Sequence, residues 1–286
     1  MSEALELPHS PPGLELYHLS PVIGTEVLGI DLRETLSDAV ISWLSDLLVE
    51  RKVLFFREQA ISAQQHIAFA RRFGELEIHP FTTNDSAHAE IIHLNNDREN
   101  PPRINIWHSD VTWREAPSLG SILRAVEVPT VGGDTLFANM EAAYARLDND
   151  TKAMLADLQA IHDNSAFLNG MRARGASEAE IEAKRQAYPP TTHPVVRTHP
   201  VSGKPSIYVN RAFTQAIAGW PEDESRRLLQ SLYQTASNPD VQCRFRWRPD
   251  SLAFWDNRAT QHFAAADYWP HTRRMQRVTI IGDRPH

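Results

Sequence analysis

The stretch "FWDNRATQHFAAADYWPHTRRMQRVTIIGD", residues 254–283, holds two strand-like runs separated by a polar connection. In an extended strand every second side chain lies on the same face, so Arg273 and Arg277 of the run RRMQRVTII point the same way. If that face lines the interior of the fold, it carries two guanidinium groups there. Buried arginines need anions, and a planar guanidinium binds a carboxylate or another oxyanion through two hydrogen bonds. The stretch therefore predicts a β-rich fold with an anion-binding interior.

A second run, "NIWHSDVTW" at residues 105–113, places a histidine and an aspartate two positions apart. An extended strand would direct His108 and Asp110 to the same side, toward one small target. His262 of the first stretch offers a third ligand far along the chain. Two imidazoles and one carboxylate form the facial triad that holds non-haem Fe(II) and leaves coordination positions open. Cys243 is the only cysteine, which excludes a thiolate cluster, so any metal must bind His, Asp or Glu.

The remaining pattern favours a mainly β fold with helices, an antiparallel barrel or jelly roll. Helical periodicity is present in five segments: 35–50, 62–74, 148–163, 178–188 and 223–237. Between them lie seven short strand-like runs: 53–56, 90–94, 121–128, 205–210, 243–248, 251–257 and 273–281. They are too scattered for a regular βαβ alternation. We expect one domain over residues 1–286, with a helical insertion at about 150–190.

Composition excludes several classes of partner. The formal net charge of −7 argues against nucleic-acid binding, which calls for a basic face. No apolar run approaches the roughly 20 residues of a membrane span. The N-terminal stretch MSEALELPHSPPGLELYHLS has neither a basic start nor an apolar block, so we expect no signal peptide and a cytoplasmic location. The arginines of the last third favour small anions as ligands.

Four motifs together resemble the taurine dioxygenase (TauD/TfdA-like) family of Fe(II)/2-oxoglutarate-dependent dioxygenases. They are HxD at 108–110, GGDT at 132–135, WDNRATQH at 255–262, and an arginine eleven residues after the last histidine. The similarity runs from about residue 15 to residue 284. It implies a double-stranded β-helix, a cupin-like jelly roll, with helical insertions. It also implies Fe(II), 2-oxoglutarate and O₂, with His108, Asp110 and His262 as iron ligands and with Thr135 and Arg273 binding the distal carboxylate of 2-oxoglutarate.

The resemblance extends to the substrate pocket. In the family a histidine, an arginine and a backbone N–H clamp the sulfonate, and these positions match His79, Arg277 and Val111. Phe167 and Phe213 match residues that wall the pocket. The family implies a small anionic organosulfur substrate and a homodimer or homotetramer.

Two positions depart from the taurine enzymes. A tyrosine would stand three residues after the clamp histidine and an asparagine four residues before the first iron histidine, where this chain has Thr82 and Ile104. Both positions lie toward the amino end of taurine in the family. The anion clamp is therefore kept, while the other end of the pocket is more apolar.

These observations predict hydroxylation of the carbon next to the sulfur group of a small organosulfonate, taurine-like or alkyl. The products would be sulfite, an aldehyde, succinate and CO₂. The alternative within the family is an alkyl sulfate ester or aryloxyalkanoate dioxygenase. Alternatives from other classes are a non-catalytic metal-binding barrel and a zinc hydrolase, although no motif supplies a general base for the latter.

Overall fold

The computed structural model of the chain describes residues 10–82 and 85–286. Four β-sheets form in these ranges, and two of them, one of seven strands and one of three, pack face to face. Their inner faces share one core, in which Phe55 of the large sheet stacks on Phe245 of the small sheet at 4.0 Å between ring centroids. Phe55 also makes an edge contact with Phe137 of the small sheet. Aromatic rings from both layers therefore fill the space between them.

In these described ranges the strands are β1 (Glu15–His18), β2 (Thr25–Leu28), β3 (Val53–Phe56), β4 (Ile91–Asn96), β5 (Ser118–Glu127), β6 (Thr135–Asn139), β7 (Gln159–His162), β8 (Thr191–Pro194), β9 (Val196–Thr198), β10 (Pro205–Ile207), β11 (Thr214–Ile217), β12 (Gln242–Phe245), β13 (Leu252–Asp256), β14 (Thr260–Ala264) and β15 (Arg273–Ile281). The α-helices are α1 (Asp38–Arg51), α2 (Ala63–Arg71), α3 (Met140–Ala145), α4 (Asn149–Leu155), α5 (Ser165–Ala173), α6 (Glu178–Ala187) and α7 (Glu222–Thr235).

The large sheet has the order β1-β2-β3-β13-β5-β15-β4, and the small sheet has the order β12-β6-β14. Only the pair β2–β3 of the large sheet is parallel; its other pairs are antiparallel. The predicted jelly-roll character is confirmed. In the part of the chain that the structure describes, however, the two sheets stay separate and no closed barrel forms.

Helices α1 and α2 cover the outer face of the large sheet. Leu44 and Phe69 of these helices share a core with Phe254 of β13 and with Val278 of β15. The helix start predicted at Ser62 is confirmed, because the Ser62 hydroxyl caps α2. Helix α1 begins at Asp38, after the Ser37 cap, three residues later than predicted. Since the even positions of β15 from Val278 onward pack under the helices, its odd positions face the space between the sheets.

Two local predictions were wrong. The helix predicted over 148–163 ends at Leu155, and Gln159–His162 forms β7, which pairs with β8 and β11. Burial in β7 alternates with the period of two of a strand, so neighbouring strands override the helical pattern. The strand expected through 105–113 is also absent: His108 forms an isolated bridge, and a turn follows at 110–113.

Within the described residues, the longest helices have 14 residues, and none is long and apolar enough to cross a membrane. Residues 1–9 of the N-terminal stretch on which the signal-peptide prediction depends lie outside the described part of the chain.

Candidate metal and cosubstrate site

Three side chains with metal-ligating atoms converge at one end of the two sheets. His108, Asp110 and His262 are buried, and each offers an atom within 4.8 Å of the others. Asp110 Oδ1 lies 3.8 Å from His108 Nε2 and 3.9 Å from His262 Nε2. These separations exceed a hydrogen bond, yet one ion with bonds of about 2.2 Å can reach both atoms of each pair.

A backbone bridge brings the two histidines together. His108 N–H donates to the His262 carbonyl at 3.1 Å, and His262 N–H donates to the His108 carbonyl at 2.8 Å. Directly paired residues on antiparallel segments place their side chains on the same face, and here the ring centroids are 4.2 Å apart. His108 Nδ1 lies 2.8 Å from the Ile106 carbonyl, which can only accept, so Nδ1 carries the proton. This tautomer leaves the Nε2 lone pair for a metal.

Asp110 reaches the histidines through a turn. The Asn257 side chain accepts from the Asp110 N–H at 2.7 Å and donates to the Asp110 carbonyl at 2.9 Å. Val111, the next residue, has φ +49°, which is rare for a β-branched residue and costs roughly 1–3 kcal/mol. The predicted convergence of His108 and Asp110 is therefore present, but strand alternation is the wrong reason for it.

Electrostatics fix the charge states of the three groups. Burial would raise the pKa of Asp110, but the charge of Arg277 and the hydrogen bond from Ser121 oppose this effect, and the pKa lies below its usual range. Arg277 Nη1 donates to Asp110 Oδ1 at 2.8 Å, and Ser121 Oγ donates to Oδ2 at 3.1 Å. Burial lowers the pKa of His108 and lowers that of His262 to about 3. A carboxylate beside two neutral imidazoles is a ligand set that fits Fe(II).

Asn257 is expected to be essential for this geometry. The change Asn257→Ala leaves the buried N–H and carbonyl of Asp110 without partners, at about 1–3 kcal/mol for each group. We expect the free energy of unfolding to fall by about 2–6 kcal/mol and the affinity for Mn(II) or Fe(II) to fall with it. Urea unfolding and metal titration measure the two effects. Asn169→Ala on α5 is the control, and equal metal affinity in Asn257→Ala would contradict this role.

A cavity of about 540 Å³ adjoins the triad. Its wall contains all twelve residues that the sequence analysis singled out: His79, Thr82, Ile104, His108, Asp110, Val111, Thr135, Phe167, Phe213, His262, Arg273 and Arg277. The structure therefore brings the whole predicted set to one place. Residues from seven separate segments of the chain meet there.

Arg273 is a buried cation without an acidic partner in the described residues. It is 5% exposed, burial lowers its pKa, and its Nε donates to the Gly133 carbonyl at 3.2 Å. Its guanidinium lies 5.9 Å from the ring centroids of both Trp247 and Tyr268. Thr135 Oγ1 accepts from Trp247 Nε1 at 3.0 Å, which leaves the hydroxyl proton to be donated elsewhere. These two donors suit a carboxylate.

His79 adds a neutral donor to the cavity wall. Its Nδ1 accepts from the Phe81 N–H at 3.2 Å, so its proton lies on Nε2. Burial and the nearby Arg277 lower its pKa to about 3, which keeps the ring uncharged. Phe81 stacks on Phe167 at 5.3 Å, and Phe167 stacks on Phe213 at 5.8 Å. An aromatic wall therefore stands beside a pair of anion-binding side chains.

The two departures from the taurine pattern lie on the same wall. Thr82 is partly buried, and Ile104 is 50% exposed. Among the described residues that line the cavity, Asp110 is the only carboxylate, and it already pairs with Arg277. An ammonium group in the cavity would therefore meet no unpaired carboxylate from this wall.

Comparison with known proteins identifies the family. The family described as "Taurine catabolism dioxygenase TauD, TfdA family" matches residues 15–279. The chain belongs to this family. As a TauD/TfdA-family dioxygenase it is an oxidoreductase that uses Fe(II), 2-oxoglutarate and O₂. The residues fit these groups. The two histidines and the aspartate suit Fe(II), and the uncompensated Arg273 and the Thr135 hydroxyl suit the distal carboxylate of 2-oxoglutarate.

Relatives of the TauD/TfdA dioxygenase act on several kinds of substrate. The chain is 35% identical to an alpha-ketoglutarate-dependent sulfate ester dioxygenase of Pseudomonas putida, over 95% of this chain and 91% of the relative. It is 34% identical to an alpha-ketoglutarate-dependent sulfonate dioxygenase of Saccharomyces cerevisiae, over 95% and 68%. The crystal structure of a taurine dioxygenase from Burkholderia xenovorans superposes with a TM-score of 0.82 at 33% identity, covering 96% and 91%.

Sequence reasoning missed three residues that shape the TauD/TfdA site. Asn257 stood inside a quoted motif, and its place in a turn after a strand was the available signal. Phe81, two residues after His79, stacks on Phe167 in the same wall, and Trp247 is recognisable only by its contact with Thr135.

Proposed function

We propose that the enzyme oxidises a primary alkyl sulfate ester at the carbon that carries the sulfate. In this proposal His108, Asp110 and His262 hold Fe(II), and Arg273 with Thr135 binds the distal carboxylate of 2-oxoglutarate. The observation that carries it is the composition of the cavity. A buried histidine donor and an arginine stand next to the triad, beside three phenylalanines and without a spare carboxylate.

Each residue has a task in the reaction. Bound Fe(II) supplies the activation of O₂ that is coupled to the decarboxylation of 2-oxoglutarate. Arg273 and Thr135 orient the cosubstrate from its far end, where their donors match a carboxylate. His79 Nε2–H and the Arg277 guanidinium hold the sulfate, so the adjacent carbon is kept close to the triad. Phe81, whose ring belongs to the aromatic wall, helps to exclude water from the alkyl chain.

The products follow from the atom balance. One oxygen atom of O₂ enters the C–H bond beside the ester oxygen, and the other enters succinate as CO₂ leaves. The hydroxylated carbon then carries both a hydroxyl and a sulfate. Its O–H proton passes to the departing sulfate as the C–O bond breaks, which gives an aldehyde and hydrogen sulfate. No separate base is required for this collapse, because the sulfate is a good leaving group.

An alkyl sulfonate is the second candidate substrate. The clamp of His79 and Arg277 binds the oxygens on sulfur, and a sulfonate has these oxygens as a sulfate ester does. The S. cerevisiae relative carries the name of a sulfonate dioxygenase, whereas the P. putida relative is named for sulfate esters. An aryloxyalkanoate would place a planar carboxylate on the clamp instead, and it belongs in the same panel of substrates.

The wild-type enzyme should prefer hexyl sulfate to taurine. Burying an ammonium group without a partner costs free energy, and the described wall offers no unpaired carboxylate. We expect kcat/KM for hexyl sulfate to exceed that for taurine by roughly 5- to 150-fold, which corresponds to about 1–3 kcal/mol. Succinate release with each substrate gives this ratio. A wild type that favours taurine would refute the proposed tail specificity.

The double change Thr82→Tyr with Ile104→Asn should move this ratio toward taurine. Because Ile104 is 50% exposed, the restored polar contacts are worth about 1 kcal/mol, or about fivefold. Val201→Asn, at a position 63% exposed and outside the cavity wall, is the matched control. An unchanged ratio in the double variant would show that these positions do not contact the tail.

A further inference from the structure

Two arginines of the cavity wall have no task in the proposed reaction. Arg103 lies in the segment that follows β4, and Arg174 lies at the C-terminal end of α5. Both side chains are exposed and both line the cavity, so they stand where it opens to solvent. Arg273 and Arg277, in contrast, are largely buried beside the triad.

The position of Arg174 on α5 directs it to the cavity. Phe167, Gly170 and Arg174 are spaced i, i+3 and i+7, which places them on one face of the helix. Phe167 belongs to the aromatic wall. A Cβ at Gly170 would stand 3.3 Å from Arg174 Nη1, so the guanidinium lies directly over this glycine. The absent side chain makes room for the cation on the face that lines the cavity.

Neighbouring arginines of the same segment are paired, unlike Arg174. Arg172 Nε lies 2.7 Å from Glu178 Oε1, and Arg185 pairs with Glu182 on α6. Within the residues that the structure describes, Arg174 forms no ion pair. Arg172 is only two positions away, but it points to the outer side of the helix. The difference between the two follows from which helix face each occupies.

A charge count at the cavity leaves these cations uncompensated. Of its four arginines, Arg277 pairs with Asp110, and Arg273 is assigned to 2-oxoglutarate. Lys184 adds a positive charge close by, since its Nζ lies 5.6 Å from the centre of the Phe81 ring. The described lining residues contribute no second carboxylate. A substrate with one charged end satisfies the clamp but leaves the mouth with an excess of positive charge.

We infer that the mouth is a second anion subsite, formed by Arg174 with Arg103, and that the substrate is an alkyl sulfate with a carboxylate at its other end. This inference rests on the proposed function, because it takes the sulfate end to be held by His79 and Arg277. A guanidinium matches a carboxylate through two parallel hydrogen bonds. The phenylalanine wall between the two subsites contacts the alkyl chain. A cavity of about 540 Å³ has room for an extended substrate beside 2-oxoglutarate.

The test compares hexyl sulfate with its ω-carboxy analogue, which differs only in the charged end. We expect wild-type kcat/KM to be about fivefold higher for the carboxylated substrate, mostly through KM, as an exposed ion pair allows. This advantage should shrink as salt is raised, because exposed charges are screened. Arg174→Gln should remove the advantage and its salt dependence. Arg172→Gln, which alters the neighbouring outward-facing arginine, should retain both.

The outcomes separate this inference from the proposed function. Oxidation of hexyl sulfate with no advantage for the carboxylated analogue overturns the second subsite and leaves the proposed function standing. An advantage that persists in Arg174→Gln overturns the assignment to Arg174. Failure of wild-type enzyme to oxidise either sulfate refutes the proposed function, and the second subsite with it.

Discussion

The change His262→Ala is expected to lower substrate-dependent turnover by roughly a thousandfold or more. A bound metal supplies several kcal/mol of the stabilisation that the reaction requires, and about 4 kcal/mol corresponds to a thousandfold in rate. His262 is a good target because its removal leaves the Arg277–Asp110 ion pair and the Asn257 contacts in place. Succinate release reports turnover, and Mn(II) or Fe(II) titration reports metal affinity.

The matched control is His18→Ala in β1, where the ring hydrogen-bonds Thr25 outside the cavity wall. This variant should bind metal and turn over as the wild type does. His108→Ala and Asp110→Ala should behave like His262→Ala in both measurements. Wild-type metal affinity in any of the three would remove that residue from the proposed triad, provided that circular dichroism shows a folded protein.

The change Arg273→Met is expected to raise the KM for 2-oxoglutarate by roughly 30-fold to several thousandfold. Loss of one partner of a buried charge pair costs about 2–5 kcal/mol, and each 1.4 kcal/mol is a factor of about ten. Arg274→Met is the control on the adjacent position: its side chain is 55% exposed on the other face of β15 and pairs with Glu127. An unchanged KM in Arg273→Met would show that 2-oxoglutarate binds elsewhere.

Thermal unfolding gives a second readout of Arg273. Without 2-oxoglutarate this guanidinium is a buried charge with no acidic partner in the described structure, so its removal should cost little stability. Wild-type protein should gain stability when 2-oxoglutarate is added with Mn(II), because a ligand that binds only the folded state raises Tm. Arg273→Met should lose most of the gain that depends on 2-oxoglutarate.

Features with a local period were predictable from the sequence. The alternation along β15 correctly placed Arg273 and Met275 inside and Arg274 outside, because strand geometry requires no knowledge of the partner strands. The start of α2 was likewise evident from Ser62, a serine before an apolar stripe. The long motif WDNRATQH indicated the family, because it contains both the turn residue Asn257 and the metal ligand His262.

Features set by distant partners were not predictable in this way. Strand β13 pairs with β3, about two hundred residues earlier, and no local pattern encodes that choice. Residues 159–162 keep helical spacing, yet pairing on both sides makes them a strand. His108 and Asp110 converge through a turn that Asn257 stabilises from across the fold. The place of Arg174 at the cavity could not be predicted either, because it depends on the contact with Gly170 and on the shape of the folded cavity.

We propose that this TauD/TfdA-family enzyme couples 2-oxoglutarate decarboxylation to cleavage of an alkyl sulfate ester. The most direct test is to measure succinate and inorganic sulfate together, with hexyl sulfate, Fe(II), 2-oxoglutarate and O₂. We expect both products to appear in equal amounts, and omission of any one reactant to stop both. Succinate formation that hexyl sulfate does not stimulate, or stimulated succinate without sulfate release, would contradict it.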